Sequence, residues 1–175
     1  MLWDVLSFMA NAAHGRGHSL SMLFTLGYEK RSIDEFVKLL LSEKVNVLVD
    51  VRETAWSHKP GFSKRALEAA LASAGIEYVH AAFAGNPKKL RVTARSHEEC
   101  LARYGRYLDE NPQVFEDFSR LLTRLHREGK RVCVTCFERH PGDCHRGILA
   151  TRWEKKRRQK VSHIEPGGCA RLVPA

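Results

Sequence analysis

Val45-Asn46-Val47-Leu48-Val49-Asp50-Val51 is the stretch that decides the fold. A strand with one wet face alternates apolar and polar residues. This run is apolar and β-branched almost throughout, as in a strand buried on both faces of a parallel sheet. Upstream, Leu23 to Leu26 reads as a strand closed by Gly27-Tyr28. Ser32 and Glu35 form a capping-box pattern, and Phe36, Leu39 and Leu40 recur at helical spacing, which predicts a helix over 33–43. Downstream, the polar loop ETAWSHKPGF (53–62) leads to a helix capped by Ser63, with Leu67, Ala70, Leu71 and Ala74 on one face and Gly75 at its end. Ile76 to His80 reads as a third strand, and 81–96 as a long irregular connection. Helices are expected over 97–108 and from Asn111-Pro112 to Gly129, the second with a stripe of Phe115, Phe118, Leu122 and Leu125. Arg131 to Phe137 is a fourth strand, 147–160 a helix and 161–164 a short last strand.

Strands that alternate with helices predict an α/β three-layer sandwich: a mostly parallel sheet of about five strands with helices on both faces. Right-handed crossovers then bring every strand's C-terminal end to one edge, where such sheets bind ligands. The expected organisation is one domain over 22–165, preceded by an appendage over 1–21 joined through the polar HGRGHS and followed by a turn-rich tail over 166–175.

The 175 residues suit a single domain that holds a core without staples. Five cysteines, an odd number without a repeated framework, read as reduced thiols in a cytoplasmic protein. No apolar run reaches the ~18 residues of a membrane span, so no membrane partner is expected. Residues 1–15 lack a basic n-region and carry Asp4, which argues against a signal peptide. A formal charge of +9 favours an acidic partner, either an anionic small molecule or nucleic acid.

Three turns at the expected ligand edge carry chemistry: Gly27-Tyr28, Asp50-Val51-Arg52 and Glu138 to Arg146. The last is the densest. A buried strand delivers Glu138, and a Pro-Gly loop returns to a helix that starts near Cys144-His145-Arg146. A helix N-terminus offers free N–H groups and partial positive charge, which favour a thiolate, and an Arg there suits phosphate or carboxylate. Asp50 and Arg52 lie two apart, so they project to one side of the strand. Arg52 is expected as an anion ligand oriented by Asp50.

Thr25-Leu26-Gly27-Tyr28, Leu48-Val49-Asp50-Val51-Arg52, and Cys136-Phe137-Glu138 followed by Cys144-His145-Arg146 resemble the family of domains of unknown function numbered DUF488, over about Leu23 to Ile164. The resemblance implies a compact α/β sandwich. Members more often show Gly-His at the first turn, where this chain has Gly27-Tyr28.

Several mechanisms compete at this edge. The leading expectation is a hydrolase or glycosidase acting on a nucleotide or nucleic-acid substrate, with Glu138 as base or nucleophile and Gly27, Tyr28, Asp50, Arg52 and Arg146 at the anion. A thiol transferase would use Cys144 as nucleophile with His145, although adjacent helical residues point ~100° apart. A non-catalytic domain would only bind the anion. The spacing Cys133 to Arg139 matches a phosphatase, but Cys133 lies inside the strand with no Gly-rich cradle. Cys136, Cys144 and His145, closed by His163 or Cys169, could bind zinc; no Cys-x2-Cys hook sits at a turn, so neither metal nor cofactor is expected. For nucleic acid, the basic residues Lys88, Lys89 and Arg91 and the tail Lys155, Lys156, Arg157 and Arg158 are candidates, with Trp56 and Trp153 able to stack on bases.

Overall fold

The structure, a computed structural model, describes residues 22–165 and the backbone of 168–172. The expected appendage over 1–21, with its His14 and His18, lies outside the described residues, as does the side chain of Cys169. The chain runs β1 (Leu23–Gly27), α1 (Ile33–Ser42), β2 (Val47–Asp50), α2 (Lys64–Ser73), β3 (Glu77–His80), α3 (Lys88–Val92), α4 (His97–Glu110), α5 (Pro112–Arg127), β4 (Val132–Cys136), α6 (His145–Arg157), β5 (Val161–Glu165) and β6 (Gly168–Leu172). The sheet order is β3-β2-β4-β1-β5-β6. The first five strands are mutually parallel, and β6 pairs antiparallel with β5.

The decisive stretch behaves as its composition requires. Val47, Val49 and Val51 face a core shared with α4, α5 and α6, built on Tyr104, Phe118, Leu122, Leu149 and Trp153. Leu48 faces the other core, against Phe36 and Leu40 of α1 and Leu67 and Leu71 of α2. β4 repeats the pattern, with Val132, Val134 and Cys136 on the first face and Cys133 on the second. Each such side chain contributes roughly 1.5–3 kcal/mol on burial, and a slip of one residue would exchange the two faces, so packing fixes the register. The result is the expected three-layer α/β sandwich.

Local signals account for most boundaries. The capping box at Ser32 and Glu35 is formed, Pro112 opens α5, and Gly75 and Gly129 take φ of +71° and +75° beyond the ends of α2 and α5. Other boundaries differ from expectation. Ser63 precedes α2 but makes no cap bond; its hydroxyl donates to Ser57 O at 2.9 Å and ties off the 53–62 loop instead. The 81–96 connection holds a 3₁₀ turn at Ala82–Ala84 and the short α3. The expected turn-rich tail contributes β6, through edge pairing with β5 that its local sequence does not announce. α6 starts at His145, not Gly147, because a 3₁₀ turn at Pro141–Asp143 brings Cys144 to the N-cap.

Candidate functional site

β2, β4 and β1 are adjacent and parallel, so their C-terminal ends deliver the three chemistry-bearing turns side by side. They border a cleft of about 530 Å³ whose wall includes Tyr28, Arg52, Trp56, His58, Lys59, Arg91, Cys136, Phe137, Glu138 and His145.

The two arginines expected to hold an anion have other partners. Arg52 Nε donates to both Asp50 oxygens at 2.9 and 3.0 Å, and Nη2 reaches Asp50 Oδ2 at 2.6 Å. Arg52 Nη1 donates to Tyr28 Oη and to Phe62 O, both at 2.9 Å. Burial alone would lower the guanidinium's pKa, but the bonds to Asp50 outweigh it and raise it. Asp50 is fully buried and also accepts from Tyr78 Oη at 2.8 Å. Tyr28 stacks on Phe62 with centroids 4.4 Å apart. Arg52 is thus half of a buried ion pair that ties β2 to the first turn and the 53–62 loop, and only its edge reaches the cleft.

Arg146 is 1% exposed, with its guanidinium turned to the backbone of the Glu138 loop. Its Nη1 donates to Glu138 O, and Nη2 to Arg139 O at 2.9 Å. Gly27 serves the same loop: a Cβ there would lie 1.9 Å from Glu138 O. Gly27 and Arg146 therefore pin the backbone at Glu138 and so aim its half-buried side chain.

Around Glu138 the side chains converge. Cys136 Sγ lies 3.6 Å from Glu138 Oε2 and 3.5 Å from His145 Nδ1. His145 Nε2 donates to Val51 O at 2.9 Å, which fixes the neutral ring's proton on Nε2 and leaves Nδ1 free toward the sulfur. Cys144 Sγ joins them, and the donor atoms of Cys136, Cys144 and His145 all lie within 4.8 Å of one another. The helical 100° rule does not separate Cys144 from His145 here, because the N-cap is extended at φ −139°, ψ 140°. Cys144 is 1% exposed, and burial pushes its thiol well above the usual range despite the helix terminus. Cys136, which reaches the cleft wall, is the thiol that sequence reasoning undervalued. The available signal was a strand-terminal Cys placed shortly before Cys144-His145, a spacing that a search for Cys-x2-Cys hooks passes over. His163, proposed to close such a site, has its Nδ1 on Thr25 Oγ1 at 2.7 Å.

The remaining wall is aromatic and cationic. Trp56 is 60% exposed and meets His58 edge-on at 4.1 Å. Phe137 is 43% exposed. Arg91 pairs with Glu53 at 2.9 Å, and Lys88 N donates to Glu53 Oε2, which seats α3 at the rim with Lys88 and Lys89 facing solvent. The other basic group does not join them. α6 leaves the strands' C-terminal edge and returns to the start of β5, so Lys155, Lys156, Arg157 and Arg158 lie at the opposite edge of the sheet. Lys156 bonds Glu116, Arg157 lies over the Trp153 ring, and Trp153 is fully buried, so it cannot stack on a base.

A family profile described as "Domain of unknown function DUF488" matches residues 32–153, more than half of the chain. The chain belongs to the DUF488 family. No curated protein and no solved structure matches it. The DUF488 match spans Asp50-Arg52 and the whole Cys136–Arg146 segment; the Gly27-Tyr28 turn precedes it and is joined to the site by the geometry described above.

Proposed function

We propose that this DUF488 domain is an enzyme of the hydrolase or glycosidase type that acts on a nucleotide, free or within nucleic acid, with Glu138 as its reactive carboxylate. One observation carries the proposal. Glu138 stands in the wall of a cleft at the strands' C-terminal edge, between exposed aromatic rings and cations. Trp56 and Phe137 offer π-faces to a planar base. Lys59, His58 and Arg91 replace Arg52 and Arg146 as the groups that meet a phosphate. A carboxylate held by a pinned backbone is suited to take a proton from water or to attack a glycosidic carbon.

The reading is tested by screening nucleosides, nucleotides and labelled DNA and RNA for binding, then analysing products. A nucleotide ligand is expected to quench Trp56 fluorescence, and Trp56→Ala to weaken binding about 5- to 150-fold, the ~1–3 kcal/mol of one base stack. Equal binding by Trp56→Ala and the parent chain would place the ligand elsewhere.

A further inference from the structure

The geometry points to a zinc-type metal site made by Cys136 Sγ, Cys144 Sγ and His145 Nδ1, with its fourth position open to the cleft beside Glu138.

Four observations support it. The donor atoms converge from two elements, the end of β4 and the start of α6, to within 4.8 Å of one another. Tetrahedral zinc with bonds of ~2.3 Å to sulfur and ~2.0–2.1 Å to nitrogen sets neighbouring donors about 3.5–3.8 Å apart, and the 3.5 Å between Cys136 Sγ and His145 Nδ1 falls in that range. The imidazole is already arranged as a ligand: Nε2–H donates to Val51 O, the outer support that metal-bound histidines commonly have, and the free nitrogen faces the sulfurs. Cys136 and His145 line the cleft wall whereas Cys144 is sealed behind them, so three protein ligands close one side and leave the other toward the cavity. That is the arrangement of a catalytic rather than a structural zinc. The soft donor set favours zinc over magnesium or calcium.

Glu138 gives the fourth position a use. Its Oε2 lies 3.6 Å from Cys136 Sγ, next to the metal position without belonging to the donor triad. A metal held there would acidify a water at its open position; Glu138 would take that water's proton as the oxygen attacks the ligand's electrophilic carbon and the bond to the leaving group breaks, and the proton would pass from Glu138 to that group. This use of Glu138 rests on the proposed hydrolase activity. The metal site does not.

The test begins with the full chain, purified under reducing conditions from zinc-supplemented medium without chelator. Elemental analysis should give about one zinc per chain. After chelation, titration with Co²⁺ alone should produce tetrahedral d–d bands and a thiolate-to-cobalt charge-transfer band. Cys136→Ser and Cys144→Ser, each shown to be folded by circular dichroism, should bind Co²⁺ at least about 10-fold more weakly. Glu138→Gln should keep the zinc. Less than about a tenth of an equivalent in the zinc-loaded parent chain overturns the site, as does a cobalt spectrum without charge transfer. Because the parent chain carries the decisive reading, a variant that fails to fold does not blunt the test. One zinc per chain without turnover of any nucleotide would leave the site standing and remove the proposed substrate.

Discussion

Asp50 and Arg52 sit at the strands' C-terminal edge and hold it together. Both are buried, with side chains 0% and 7% exposed, and the pair is joined by three side-chain bonds. Removing one partner of a buried pair typically costs 3–5 kcal/mol because the other charge stays buried alone, so Asp50→Ala should destabilise by about that amount in denaturant titration. A cost under about 1 kcal/mol would show that Arg52 turns to solvent. Gly27 makes a second point of the same kind. Gly27→Ala places a methyl against Glu138 O, so the β4 exit must shift. Turnover should fall more than stability, because the displaced backbone carries Glu138. The sequence made these residues visible without revealing their parts: a strand-end Arg reads alike whether it faces a phosphate or a buried aspartate, and only the third dimension supplied Tyr28 Oη, Phe62 O and Asp50 as its partners.

Elements were legible where a short window carries the cause. β2 was readable because burial on both faces erases alternation, α5 because Phe115, Phe118, Leu122 and Leu125 share one face below Pro112, and α1 because its capping box is local. β6 was not, because an edge strand is defined by its partner, here β5. The start of α6 was missed because the Pro141–Asp143 turn, which brings Cys144 and His145 to one point, depends on packing against β1 and α4. The contact between α5 and α6 yields a pH prediction. His126 on α5 lies against Trp153 and near Arg157 of α6, with Nε2 buried and unpartnered. Burial, with a smaller contribution from Arg157, lowers its pKa to about 4. An unfolded histidine titrates near 6.5, so between those values the unfolded chain takes up a proton that the folded chain refuses. Stability is therefore full above about pH 6.5 and falls as pH drops toward 4, by on the order of 1–3 kcal/mol. Melting temperature measured across that window should decline, and His126→Leu should remove that part of the decline; an unchanged slope would contradict the assignment.

The molecule separates its two basic regions. The cleft and α3 occupy the strands' C-terminal edge, and the α6 tail the other. Replacing Lys155, Lys156, Arg157 and Arg158 with alanine should reduce the salt dependence of any nucleic-acid binding while leaving affinity for a mononucleotide in the cleft within about twofold. A parallel loss of both would mean that one ligand spans both ends. The convergence of distant segments was legible at this level from the alternating pattern alone: parallel strands had to bring Arg52, Glu138 and Cys144 to one edge, and they do. Which of them faces the cavity was set by side-chain partners that no spacing rule supplies. The role proposed for Glu138 is that of the reactive carboxylate of that cavity. It is tested most directly by comparing the parent chain with Glu138→Gln on the nucleotide or nucleic-acid substrate that the product screen identifies, with turnover and affinity measured separately. Turnover is expected to fall about 100-fold or more, since the amide keeps the shape but cannot act as base or nucleophile, with affinity changed by no more than a few-fold. A Glu138→Gln chain that turns over its substrate at the parent rate would contradict it.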